Sequence, residues 1–479
     1  MKLSNLEPNC VFKFFESVSG IPRGSGNEEA VCGFVEDYFK NKNFTTARDE
    51  KNNLVIYKPA HRDSKSGEPL ILQAHLDMVC EKNKGTVHDF TRDPIKLRVD
   101  GDFISADGTT LGADNGIGVA LCLAALDSEE IIHPPLEVLL TADEEAGMSG
   151  VEFFDTSLLR GRRMINLDTA KDDTFFAGCA GGARVDLTFR PEWEDAKDGD
   201  VFYQIEVKGL RGGHSGVDIE KERGNSLRIL ARLLRACENI SDLRIARVSG
   251  GMKLNTIPRE AEAVVAFNAQ YENKVVGEIK KYTKIFQSEY RASDGGLKIE
   301  FRRIENEQKY LSRGGEIISA LLVLPNGIQH MHAEIAGLPE TSCNVGVIET
   351  NDDSVRIQCM PRSSRDSRNG FVIEQIKTIG AVFGMDASVS HGYGAWEYAP
   401  DSALRKAASE TYEKIFGRPP NVTVVHAGLE CGILSDKIKG LDIISFGPNI
   451  SDCHNPDERL SVSSTARVWK FLCELMRNL

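Results

Sequence analysis

At 479 residues the chain exceeds what one hydrophobic core ordinarily organises, so two or three domains are expected. Its 41% hydrophobic and 27% charged residues are globular values, and no apolar run approaches the roughly 20 residues of a membrane span. The net charge of −13 is diffuse and leaves no basic stripe to track phosphates, so neither nucleic acid nor membrane is an expected partner.

The start, Met1 to Pro8, has no apolar segment of the signal-peptide kind. The eleven cysteines are odd in number and lack a C-x-x-C pair, so they read as reduced, buried thiols. Both features predict a cytoplasmic protein. Amphipathic helices are predicted over 11–19 and 27–40, then short apolar strands at 54–57 and 70–73. Further strands at 136–140 and 164–167 each end where acidic residues begin. The alternation predicts an α/β layered sheet with functional groups at its strand ends. From about 181 the texture changes. Strands at 183–189, 201–207, 261–269, 297–303 and 355–360, with helices at 226–237 and 371–383, predict an inserted α+β domain. Helix, strand, helix character returns at 402–416, 441–446 and 462–478. The predicted organisation is a first domain in two parts, 1–180 and 393–479, around an insert of 181–392.

His75-Leu-Asp77 follows the strand at 70, and its i, i+2 spacing puts both side chains on one side of an extended segment. A neutral imidazole there can take a metal when an acceptor such as Asp77 fixes its tautomer; a plain strand end is the alternative. Asp114 stands in the glycine-rich turn Leu111-Gly-Ala-Asp-Asn-Gly-Ile-Gly118. The turn lacks the Lys-Ser/Thr ending of a P-loop, and an acid there repels phosphate. Asp114 reads either as a carboxylate shared by two cations or as a helix N-cap. Glu144 and Glu145 follow a buried strand, one suited to ligate a metal and the other to take a proton from its water; a solvated acidic turn is the alternative. Asp168 ends the next strand, and His454 lies in a loop before the last helix. Together His75, Asp114, Glu145, Asp168 and His454 make two N/O ligand sets if Asp114 is shared. Each set has three protein ligands and an open position, the catalytic pattern. Imidazole plus carboxylate favours Zn²⁺, with Mn²⁺ or Co²⁺ as substitutes.

The ordered series H-L-D-M-V, G-A-D-N-G-I-G, A-D-E-E-A-G, N-L-D and H-N-P-D-E-R-L resembles the zinc aminopeptidase, carboxypeptidase and aminoacylase clan. Within that clan it is most similar to the aminoacyl-histidine dipeptidase family, from Ser17-Val-Ser-Gly-Ile-Pro-Arg-Gly-Ser-Gly-Asn-Glu-Glu29 through to His454. The resemblance implies an α/β fold, a three-layer di-zinc peptidase catalytic domain with an inserted α+β lid, that hydrolyses small dipeptides, Xaa-His among them. It implies two Zn²⁺ per chain: His75 and Asp168 at one, Glu145 and His454 at the other, and Asp114 at both. Glu144 becomes the general base, Asp77 the partner of His75, and the Asp114–Asn115 peptide is expected to be cis.

In the insert, Gly209-Leu-Arg-Gly-Gly-His214-Ser-Gly216 is similar to the family motif whose histidine stabilises the oxyanion. Asn255 and Arg362 fit substrate binding, Arg362 holding the free carboxylate by charge-assisted hydrogen bonds, with Arg365 a second candidate. Gly428 and Glu430, in His426-Ala-Gly-Leu-Glu-Cys-Gly432, are implied to border the substrate. Turns, caps and surface ion pairs are the ordinary alternatives for these positions. The insert is about twice the length of one compact lid module, which predicts two half-lids in tandem. His214 would then come from the partner in a homodimer, or from within a monomer whose lid completes itself. Tripeptidases, aminoacylases and carbamoyl-amide hydrolases share the metal set. A silent binding or scaffolding relative would have lost a ligand or the base, and all six residues are present.

Overall fold

In a computed structural model that describes residues 3–305 and 307–479, the chain divides into two units. The first runs up to Cys179 and continues through Trp396–Val424 and Leu429–Leu479. The second is Ala180–Ala395 with the short piece Val425–Gly428. That piece was expected with the C-terminal part of the first domain. It sides with the second unit because the Ala180 N–H donates to the Val425 and Ala427 carbonyls and His426 Nε2 lies 2.7 Å from Ser342 Oγ.

The first unit is built on an eight-stranded sheet. Its order is Thr45–Arg48, Leu54–Lys58, Leu136–Thr141, Leu70–His75, Arg163–Asn166, Asp442–Ser445, Thr174–Cys179, Asn421–Val425. The four strands from Leu136–Thr141 to Asp442–Ser445 run parallel. They read as nearly continuous apolar runs because both faces of the sheet are covered. Leu70, Leu72 and Ala74 join one core with the helices Asn9–Ser19, Ala113–Asp127 and Val462–Asn478. The alternate residues Ile71, Leu139 and Met164 are equally buried and point the other way. The register sets His75 opposite Thr141 and Gln73 opposite Asn166, so the segments that follow these strands leave the sheet at one edge. A small sheet of Ile450–Ser451, Arg459–Ser461, Phe103–Ala106 and Leu97–Asp100 presents the loop that bears His454.

The second unit is one nine-stranded sheet plus a two-stranded ribbon. It contains the same βαββαβ pattern twice. One copy is the strand Asp200–Lys208, helix Ser226–Glu238, strands Arg244–Gly250 and Ala261–Asn268, helix Glu272–Glu289 and strand Lys298–Ile304. The other is the strand Gly181–Phe189, helix Gly314–Val323, strands Pro339–Thr350 and Val355–Ser363, helix Asp366–Val382 and strand Asp386–Tyr393. Numbered within each copy, the strands lie 4-1-3-2 and then 2-3-1-4, and the two second strands meet antiparallel at Gly250 and Ile348. The doubling was expected in tandem; it is nested. The whole first copy is inserted between the first strand and the first helix of the second copy. Along Asp200–Lys208, Val201, Tyr203, Ile205 and Val207 pack into the core while Gln204, Glu206 and Lys208 alternate outward; on that outward face Phe202 packs in a smaller cluster with Ala246, Ala266 and Tyr310. Seven of the eleven cysteines are buried, whereas Cys10 and Cys80 are exposed, departing from the expected uniform burial.

Candidate metal centre and substrate groups

The parallel strand ends deliver His75, Glu144, Glu145 and Asp168, and the turn that opens the helix Ala113–Asp127 and the His454 loop bring Asp114 and His454 to the same place. His75 closes its strand fully buried, with Nε2 3.3 Å from Asp114 Oδ1 and 3.8 Å from Asp168 Oδ1. His454 Nε2 stands 3.3 Å from the other Asp114 oxygen and 3.0 Å from Glu145 Oε1. The ligand atoms of His75, Asp114 and Asp168 lie within 4.8 Å of one another, as do those of Asp114, Glu145 and His454. Those are the same two groupings that the family resemblance implies, with Asp114 in both. His75, Glu144 and Glu145 make a third such group. His454 has a left-handed backbone conformation, φ 63°, and its side chain is half exposed. The Asp114–Asn115 peptide is cis, as expected.

Asp77 ties three motifs together. Its Oδ1 is 3.3 Å from His75 Nδ1, which leaves Nε2 facing the acids. The same carboxylate accepts from Ser25 Oγ at 2.8 Å and from the N–H groups of Glu144 at 3.0 Å and Glu145 at 3.1 Å. Burial works to raise the Asp77 carboxyl, but His75, Ser25 and the Glu144 N–H outweigh it and hold the group down at about 2. Glu144 and Asp168 behave oppositely. Burial, then the charges of neighbouring acids, pushes both carboxyls well above the ordinary range, His75 offsetting part of this. Its close approach to the carboxylates of Asp114 and Glu145 lifts His454 to about 11. Glu145 Oε1 is buried with no hydrogen-bond donor aligned on it. Two imidazoles gathered with three carboxylates at N–O distances of 3.0 to 3.8 Å, Glu144 beside them, leave more negative charge than the imidazoles offset, which a divalent cation relieves. The donor set therefore fits a metal.

Three supporting residues of the first unit carry roles that sequence reasoning did not assign. Glu458 accepts four backbone N–H groups from the Asp114 turn, and the fully buried Arg23 donates to carbonyls on either side. Glu458 lies in the quoted H-N-P-D-E-R-L motif and Arg23 in the N-terminal one, but nothing in their spacing reveals a backbone partner. Glu430 was expected to border the substrate; it is 1% exposed. Its Oε2 accepts from Gln73 Nε2 at 2.6 Å and Thr141 Oγ1 at 2.7 Å, so it braces two strand ends from beneath. Burial pushes its carboxyl up to about 7.

In the second unit, His214 sits in a loop held at both shoulders by the buried Asp294, which accepts from the Arg211 and Gly224 N–H groups at 2.8 and 2.7 Å. His214 Nδ1 accepts the N–H groups of Gly216 and Val217 at 3.1 and 3.2 Å. The neutral ring must then carry its proton on Nε2. Burial and the nearby Arg362 hold it neutral, lowering it to about 4. Arg362 is buried, donates to the Tyr393 hydroxyl at 2.7 Å, and has no carboxylate in ion-pair range among the described residues. Its Nε has no partner. Arg365 instead pairs with Glu340 at 3.2 Å and is 44% exposed. Gly428 lets the Tyr393 ring lie against the backbone, since a Cβ there would come within 2.6 Å of it. Asn255 is exposed in the turn whose carbonyl accepts the Ser215 N–H, beside His214.

The description Peptidase family M20/M25/M40 matches residues 71–478. This chain belongs to that peptidase family. The cytosol non-specific dipeptidase of Escherichia coli (strain K12) is 36% identical over 480 residues, covering 100% of this chain and 99% of that protein. The crystal structure of aminoacylhistidine dipeptidase from Vibrio alginolyticus superposes with a TM-score of 0.90 at 37% identity, covering 99% of this chain and 98% of that one. An aminopeptidase from Bacillus cereus shares the fold, with a TM-score of 0.57 at 16% identity and 99% of each chain covered. The M20 chain thus has the mixed α/β architecture of a metallopeptidase with a second, lid-like unit. No helix among the described residues is long and apolar enough to cross a membrane.

Proposed function

We propose that this M20 member is a cytosolic dipeptidase that hydrolyses free dipeptides, Xaa-His among them. The observation that carries this reading is the sharing of Asp114 between two three-ligand clusters with Glu144 beside them, in a chain aligned end to end with dipeptidases. Two divalent cations, Zn²⁺ by the donor set, would be held by His75 and Asp168, by Glu145 and His454, and by Asp114 between them. When bound they supply Lewis-acid polarisation of the carbonyl and acidify water.

The protein's own residues do the rest. Glu144 takes the proton of the attacking water and returns it to the leaving amine. Asp77 fixes the tautomer of His75. His214, proton on Nε2, donates to the oxyanion. Arg362 receives the substrate carboxylate, a role supported by a buried guanidinium that has no acid of its own, since an uncompensated buried charge is costly. Asn255 and the Gly428 loop line the substrate's approach. The doubled lid supports a self-completing monomer over a homodimer as the source of His214. A panel of β-Ala-His, other dipeptides, a tripeptide and an N-acetyl amino acid, assayed on zinc-reconstituted protein, tests the reading. Dipeptides should lead. Preference for the tripeptide or the acylated amino acid would assign the chain to a different amide substrate, and inactivity on the whole panel would refute the peptidase reading.

A further inference from the structure

Glu458 follows His454 by four residues, yet its side chain reaches the turn that presents Asp114. Oε2 accepts from the N–H groups of Leu111 at 2.8 Å and Gly112 at 3.0 Å, and Oε1 from those of Ala113 at 2.8 Å and Asp114 at 3.2 Å. From the opposite side Arg23 donates through Nη2 to the Gly112 carbonyl at 2.5 Å. Its Nη1 donates to the carbonyls of Leu76 at 2.7 Å and Asp77 at 3.0 Å. Gly112 has φ 70°, and a Cβ on it would stand 2.7 Å from Arg23 Nη2; one on Gly116 would stand 2.5 Å away. At Gly112 the left-handed backbone, Met78 Sδ at 2.6 Å from such a Cβ and the guanidinium all favour glycine, and at Gly116 the guanidinium is the nearest group.

A guanidinium and a carboxylate taken out of water are costly, and apolar side chains of equal volume pack a turn as well or better. Apolar packing cannot supply four acceptor contacts in fixed geometry, nor join separate chain segments at backbone atoms. Glu458 joins the His454 segment to the Asp114 turn, and Arg23 joins that turn to the backbone beside His75. We propose that Glu458 and Arg23 are positioning residues of the metal centre, setting where Asp114 presents its two oxygens to His75 and His454. This rests on the metal-centre reading above.

The test is direct zinc binding by the full-length, metal-stripped protein, in competition with a chelator, together with Tm and dipeptide kinetics. E458Q, E458D, R23K and D102N are compared with the wild type. Asp102 also accepts from this C-terminal segment, through Ser461 and Ser463, but touches no ligand-bearing turn. E458Q places an amide donor against two N–H groups, so its zinc affinity should fall by roughly 10–100-fold. E458D, which keeps the charge but shortens the reach, should lie between, and R23K should resemble E458Q. In E458Q and R23K turnover should be lost at limiting zinc and return in excess zinc with KM for the dipeptide unchanged. D102N should lower Tm and leave zinc affinity alone. Should E458Q, E458D and R23K lower Tm as D102N does while binding zinc within about twofold of the wild type, the pair is only structural and the proposal fails. A wild type that binds no zinc would instead overturn the metal-centre reading.

Discussion

Glu144 and Glu145 are neighbours with different surroundings. Glu145 faces His454 at 3.0 Å, whereas the nearest electrostatic partners of Glu144 are His75 and other acids. Glu144→Gln keeps the volume and removes the proton acceptor. Bound metal, read by elemental analysis, should stay at the wild-type level while kcat falls roughly 10²–10⁴-fold; near-normal turnover would reassign the base. At Arg362 the discriminating quantity is the kcat/KM ratio between a dipeptide and its C-terminal amide. The wild type should strongly prefer the free acid, and Arg362→Ala should lose that preference, whereas Arg365→Ala should keep it because Arg365 is already paired with Glu340. Away from the site, His133 is buried, with Nδ1 2.7 Å from the Pro134 carbonyl, and burial lowers it to about 4. The unfolded chain binds its proton near pH 6.5 and the folded chain only near 4, so stability present above 6.5 is lost as pH falls through that window, on the order of 3 kcal/mol for this one group. His133→Leu should therefore show a smaller loss of urea stability between pH 7 and pH 5 than the wild type; an equal loss would mean that His133 titrates normally. Among these residues, legibility follows chemistry. His75, Asp114, Glu145, Asp168 and His454 each have an ordinary reading alone and are legible as an ordered set of motifs that together make two ligand groups. Arg23 and Glu458 act on backbone atoms, and a backbone partner leaves no trace in residue spacing.

The strand Pro339–Thr350 shows the same limit at the scale of an element. Its stretch Thr-Ser-Cys-Asn is not a strand-like apolar pattern, and no strand is expected there, yet it is buried throughout. Tertiary partners satisfy it. Thr341 Oγ1 lies 2.9 Å from Ser363 Oγ, Ser342 Oγ 2.7 Å from His426 Nε2, and Asn344 donates to the carbonyls of Leu254 and Thr256 at 3.0 and 2.8 Å. By contrast Leu70–His75 and Leu136–Thr141, buried on both faces by apolar residues, are visible in sequence. The helix at 366–382 begins five residues before the apolar pattern does because its first turn is Asp-Ser-Arg-Asn-Gly. The short piece Val425–Gly428 supplies a test at this scale. In Gly428→Ala the new Cβ would displace the Tyr393 ring and with it the hydrogen bond from Arg362. KM for free dipeptides should rise several-fold with kcat and zinc content little changed; a fall in kcat at constant KM would place Gly428 in the chemistry instead of the carboxylate site.

Across the whole chain, the layered first unit was legible because apolar strands and acidic strand ends alternate along it, while the nesting of the second unit was not. Its second copy is interrupted by the entire first copy, so no local pattern joins Gly181–Phe189 to the helix Gly314–Val323. The nesting bears on oligomeric state. The strand Pro339–Thr350 is flanked on one side by Val355–Ser363 and on the other by Gly327–Met331 and, at Ile348, by Arg244–Gly250. The inner edges of the two copies thus meet at one residue pair, Gly250 and Ile348. One outer edge, Lys298–Ile304, carries Lys298, Glu300, Arg302 and Arg303, and charges of that density oppose edge-to-edge pairing. On the function proposed above, a chain that holds both copies of the βαββαβ pattern needs no partner to supply His214, so catalysis should not depend on association. Specific activity per chain should stay constant as the zinc-loaded protein is diluted to concentrations where sedimentation shows only monomer. Activity that falls in step with a monomer–dimer equilibrium would mean that His214 is supplied by a partner subunit, and that the second half-lid does not replace it.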